Sequence, residues 1–356
     1  KAAALSKNDP RFTLLQNRYN LTAELAAEKA ALHFKNPQQY PLPAAGKKSL
    51  ERAMFDFIKA LPGRKQDKFL EKMQPAISAS ATTRKQKYGD LASVDLKQTK
   101  PVAEQVQAIP VEDKYKISAD ELQRFKEDYF PGKKLFPKKG AGKSAPQQAA
   151  VATKLDFFVD SVTCVKTNDV RKDEINLGAF ATDAVGTESS KAPFFVSKFK
   201  KGESKGLGVN ANLFTFAIDD GSVGAEFPLT FIAGVFLVEE DLISNVDLGR
   251  KLAALFMVLG LTLLVVGVGL LFVPGIGPSV ALIAMYAAVG FNILGHYVFP
   301  AMLDDISEPA IDTLVLEAPP AIGDTFNRTL EFKLPLLDVN GLNKGAYTAT
   351  ARWVVS

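Results

Sequence analysis

The chain has 356 residues, a mean hydropathy of +0.03, charged residues at 23% and a single cysteine, Cys164. That length holds two or three domains with a proper core, while the polarity is too high for a multispan transporter. One cysteine excludes an intramolecular disulfide framework and a cysteine-based zinc site.

The net charge of +4 conceals an asymmetry, because residues 1–150 carry 28 Lys and Arg against 16 Asp and Glu. The remainder carries 15 against 23. A basic part joined to an acidic part predicts two units with different partners. The basic part suits anionic lipid or an acidic carrier protein. Nucleic acid is not expected, since no module of interleaved aromatic and basic residues is recognisable.

In chain order, residues 9–35 read as a helix with Pro10 at a first-turn position and a Leu/Ala-rich run to Leu32. A second helix is expected from Ser49, with Leu50, Met54, Phe57, Ile58 and Leu61 at helical spacing before Pro62-Gly63. Phe69, Leu70 and Met73 predict a third, short one. Residues 77–112 are rich in Ser, Thr, Lys and Gln and read as a loose connector. Ser118-Ala119-Asp120-Glu121 fits a capping box for a helix to Tyr129. The organisation expected is a basic, partly disordered helical region over 1–130, a Lys/Gly/Pro-rich linker over 131–153, and a second domain over 154–356.

From Leu155 the apolar period changes to two. Leu155, Phe157, Val159, Ser161, Thr163 and Val165 alternate with Asp156, Phe158, Asp160, Val162, Cys164 and Lys166. Further strands are expected at 174–182, 192–200, 212–218, 229–238, 311–316, 329–336 and 347–355. The fold class is therefore α+β: an antiparallel β-sandwich of about eight strands, interrupted between its fifth and sixth by a long hydrophobic helical hairpin.

That hairpin is the most informative feature. Between Lys251 and Asp304 roughly fifty residues carry no Asp, Glu, Lys or Arg. Leu252–Val273 and Ser279–Pro300 are two apolar segments, each long enough to span a bilayer core of ~30 Å. Pro274, Gly277 and Pro278 break the chain between them. The first segment favours lipid by about 4–9 kcal/mol, and the second is closer to neutral. Leu252, Phe256, Leu259, Leu263, Leu264 and Leu271 are the expected lipid-inserting side chains of the first leg. Ile283, Phe291 and Ile293 play that part in the second, with Pro274 and Gly277 at the tip. Gly260 and Gly267 opposite Ala284 and Ala288 allow close packing of the two legs.

Asn292 and His296 stand at i, i+4 on one helical face. They either hydrogen-bond across the hairpin or line a polar stripe facing a pore. Glu239, Glu240 and Asp241 before the run, and Asp304, Asp305 and Glu308 after it, crowd both exits with carboxylates. Their protonation lowers the cost of approaching an anionic surface, so this flank is a candidate pH sensor. Hairpins of this kind resemble those of colicin-type pore formers and toxin translocation domains. The resemblance covers residues 251–300 and implies entry into a target membrane.

Other patterns point to less. Gly202-Glu203-Ser204-Lys205-Gly206 matches a serine nucleophile elbow, but no helix start follows it. His33 and His296 are the only histidines, so a triad is not expected. Gly140-Ala141-Gly142-Lys143-Ser144 lacks the earlier glycine of a phosphate loop and reads as linker. Asp169, Asp173 and Glu174 around the first inter-strand loop are either solvated turn acids or a calcium site. No other cofactor is expected, and no enzyme activity. The expectation is a secreted or delivered effector that becomes membrane-associated, self-assembling or docked on a carrier through its basic region; the alternative is a resident, membrane-anchored sandwich.

Overall fold

The computed structural model describes residues 10–112, 115, 152–167, 173–183, 187–218, 229–239, 251–252, 254–256, 258, 306–307, 309–316, 319–334 and 345–356. The chain is α+β, with two antiparallel sheets and a helical layer.

Among the described residues five α-helices precede the strands: α1 (Pro10–Lys35), α2 (Leu50–Ala60), α3 (Gly63–Ile77), α4 (Ala81–Tyr88) and α5 (Val102–Gln107). Helix α1 is buried on every side from Thr22 to Ala31. Its alanines allow close approach by α2, α3 and α5, as expected of a helix at the centre of a bundle. Helix α2 contributes Leu50, Met54, Phe57 and Ile58 at helical spacing, and α3 adds Phe69 and Met73.

Four charged residues of α1 are buried with partners, Glu24 among them, which pairs with Lys87. Lys29 meets Glu51 at 3.4 Å and donates to the carbonyls of Gln98 at 2.7 Å and Lys100 at 3.3 Å. Glu51 also accepts the Val102 N–H at 3.0 Å. Burial pushes the Lys29 ammonium down and the Glu51 carboxyl up from their usual ranges, against their mutual attraction. Glu28 is held by Arg84 and by the Tyr88 hydroxyl, and burial still raises its pKa. Arg18 closes the end of α5 by donating to the carbonyls of Val106 and Ile109.

The strands are β1 (Lys154–Lys166), β2 (Asp173–Thr182), β3 (Glu188–Phe199), β4 (Ser204–Gly206), β5 (Asn212–Ala217), β6 (Leu229–Glu239), β7 (Ala310–Leu316), β8 (Thr325–Leu334) and β9 (Gly345–Val355). One sheet runs β4-β1-β9-β8, with β5 also paired to β1, and the other runs β3-β2-β6-β7. Their facing sides share one apolar core, including Leu155, Phe157, Leu177, Phe231, Val235, Tyr347 and Trp353. Strand β9 links the sheets twice: Tyr347 donates to Asp173, and the Trp353 indole N–H donates to Asp312 at 2.5 Å. Arg328 donates to the same Asp312 at 3.0 Å.

Three expectations change. The alternation along β1 is not continuous, because a bulge between Val159 and Ser161 inverts its faces. Val162 and Cys164 therefore point inward, while Val165 is 49% exposed. The connector expected over 77–112 instead carries α4, a 3-10 turn at Gly89–Ser93 and α5. Ser80 starts α4 by accepting the Thr83 N–H at 3.1 Å, and Gly89, at φ +55°, ends it. The third change is a ninth strand, β4, inside the segment read as an elbow. The helix expected at 118–129 lies outside the described residues. So does the linker, except for Ala152 and Thr153.

Candidate functional site

Strands β2 and β6 are buried on both faces, which turns the outer side of their sheet into a second packing surface. Their odd-numbered residues face the sandwich, whereas Phe180, Ile232, Phe236 and Val238 face away from it. These four join the helical layer in one continuous buried cluster with Tyr19, Leu25, Met54 and Phe57.

Two glycines shape this surface. Phe236 stands opposite Gly178, and Phe180 opposite Gly234, in the β2–β6 register. A Cβ at Gly178 would come within 2.4 Å of the Phe236 ring, and one at Gly234 within 2.2 Å of the Phe180 ring. Each ring thus occupies the space its partner strand leaves by lacking a side chain. Full burial of two such rings contributes about 1.5–3 kcal/mol each.

The apolar run begins on this platform. Lys251, Leu252, Ala254, Leu255, Phe256 and Val258 are helical, and Leu252, Leu255, Phe256 and Val258 are buried in the same cluster. The Phe256 ring lies 4.8 Å from that of Phe236 and stacks on Phe180 at 6.3 Å, with 21° between planes. The run also returns here. Ile306 bridges Val238, the Ser307 N–H donates to the Leu237 carbonyl at 2.9 Å, and the Ser307 hydroxyl accepts the Leu237 N–H at 2.8 Å. Since β6 and β7 pair directly, everything from residue 240 to 305 is the connection between two adjacent antiparallel strands. Departure and return therefore share one end of the sheet.

Of the expected inserting residues, Leu252 and Phe256 are buried in this seat. Leu259, Leu263, Leu264, Leu271, Pro274, Gly277, Ile283, Phe291 and Ile293 lie outside the described residues, as do Asn292 and His296. Glu239 closes β6; Glu240, Asp241, Asp304, Asp305 and Glu308 lie outside. Among the described residues no helix is long and apolar enough to cross a membrane.

Of the proposed calcium ligands, Asp173 and Glu174 are among the described residues. Asp173 and Glu174 are consecutive on β2 and so point to opposite faces; the first is bonded to Tyr347 and the second ion-paired with Lys198. Asp169 is outside the described residues, among which no group of three metal-ligating side chains occurs. The hydroxyl of Ser204 accepts from Thr163 at 2.9 Å on the sheet edge, while His33 is bonded to the Tyr40 carbonyl in the helical layer. Ser204 and His33 thus lie in different layers and do not meet. Burial raises the Cys164 thiol, a weak nucleophile in that state.

Sequence reasoning missed the seat itself. Its signal was present as Gly178 and Gly234, isolated glycines inside apolar strand patterns, which mark close approach by another group. Comparison with protein-family models, curated proteins and solved structures finds no match to this chain.

Proposed function

We propose that this chain is a membrane-inserting protein of the secreted-effector or toxin type, which sends the apolar hairpin of residues 252–300 into a target bilayer. The observation that carries this is the charge-free run of roughly fifty residues set as the connection between two paired strands. A two-pass excursion leaves and re-enters on one side, and such a connection supplies that geometry. The exit carboxylates, once protonated, ease approach to anionic lipid. On α3, Arg64, Lys68 and Lys72 are exposed at four-residue spacing and form a cationic row suited to anionic headgroups. The remaining basic residues serve a carrier protein in the same way, and a pore requires several copies.

One observation favours a resident anchor instead: the first turns of the run are already buried in the folded core, as a stationary tether would have them. Dye release from anionic vesicles separates the two. Purified full chain is expected to release dye on acidification, and a chain lacking 252–303 is not. Absence of release under every condition, with native fractionation in membranes from the start, leaves the anchor.

A further inference from the structure

We propose that the stack of Phe180, Phe236 and Phe256 is a latch that stows the apolar run, and that withdrawal of Phe256 from it commits the run to lipid. The proposal rests on the membrane-inserting reading above and names its control. Phe180 and Phe236 are preset in glycine bays by the sheet and do not depend on the incoming segment for their position. Phe256 is the piece added on top, in ring contact with both. Leu252, Leu255, Phe256 and Val258 are all buried in the same cluster, so the segment is seated by apolar side chains.

The two ends of the excursion are fastened differently. Phe256 is held by ring packing, which water-excluded lipid tails replace at little loss. Ile306 and Ser307 are held by backbone hydrogen bonds to Val238 and Leu237, which lipid cannot replace. The ring contact of Phe256 is thus the releasable one, and the leg that carries it is the more apolar of the two in sequence. The β2–β6 and β6–β7 ladders run without it. Nothing in the sheet has to break for Phe256 to leave.

Hydrogen exchange of the full chain, read by mass spectrometry, tests the latch without lipid. Amides 251–258 are expected to be protected in the parent chain. In Phe256→Ala they should exchange at least about tenfold faster while β1 and β9 stay protected. Phe180→Leu, acting from the sheet side, is expected to move the same amides in the same direction. Flotation with phosphatidylglycerol/phosphatidylcholine vesicles then reads commitment: Phe256→Ala should float at neutral pH, where the parent needs acid. Unprotected 251–258 in the parent, or variants that float as the parent does at every pH, overturns the latch alone. Failure of parent and variants alike to float at any pH overturns the membrane reading, and the latch with it.

Discussion

Tyr347 and Asp173 join the two sheets through a single buried hydrogen bond, six residues along β9 from the matching bond of Trp353 to Asp312. Burial and the adjacent Asp173 push the Tyr347 phenol well above its usual range, so it acts as a donor at all accessible pH. Tyr347→Phe keeps the ring and removes the donor, and is expected to cost about 1–3 kcal/mol in denaturant unfolding. A loss well below that would show that this bond does not hold the sheets together.

The Lys29–Glu51 pair offers a second measurement. Lys29→Met leaves a buried carboxylate, and Glu51→Gln leaves a buried ammonium while keeping an acceptor for Val102. Each single change is expected to cost about 3–5 kcal/mol, and the double variant far less than their sum. Additive costs in the four-member cycle would mean that the two groups do not sense each other.

Glu28 sets a pH dependence whose sign is fixed. Its pKa is raised, chiefly by burial and in spite of Arg84, so the folded state holds the proton more tightly than the unfolded chain. The stability it contributes is fully present below the ordinary carboxylate range and is lost as pH climbs through the raised value. The unfolding free energy of the parent, relative to Glu28→Gln, should therefore decline across that window. A difference that grows with pH would contradict the assignment.

How much of this was legible beforehand differs by element. Strands such as β9 were readable because inward and outward residues alternate, with Tyr347, Ala349, Ala351, Trp353 and Val355 all facing the core, whereas β2 and β6 are buried on both faces and read as short apolar runs. Strand β4 has three residues and no apolar pattern; only its pairing with Ser161, Val162 and Thr163 of β1 defines it. Helix α4, with the sequence ATTRKQKY, buries Tyr88 alone and so lacks a stripe to recognise. The segment at 251–258 was visible as the start of an apolar run, but uniform hydrophobicity cannot say which turn is seated. That information resides in the partner strands, at Gly178 and Gly234.

Filling a bay tests that source directly. Gly178→Ala sets a methyl group against the Phe236 ring and is expected to destabilise the fold by about 1–3 kcal/mol, as overpacking does. Alanine placed instead at the open Gly46, near which no atom would meet the new Cβ, should leave stability nearly unchanged. Equal effects at both sites would remove the case for a shaped bay.

The cationic row of α3 predicts a salt-sensitive contribution to vesicle binding. Lys68→Ala combined with Lys72→Ala should weaken adsorption to anionic vesicles roughly tenfold or more at low salt. Neutral vesicles should not distinguish the variant from the parent. Matched losses on both lipid types would point to misfolding, which circular dichroism of the variant checks.

Strands with two covered faces bind the fortunes of the chain's two halves together. A fragment starting at Ala152 would keep every described strand and the 251–258 segment, but would lose the five helices that share one buried cluster with Phe180, Ile232, Phe236 and Val238. Such a piece is expected to clump during expression. Nicking the intact protein between residues 112 and 152 should leave both parts travelling as one particle, because grease and not the peptide bond keeps them in company.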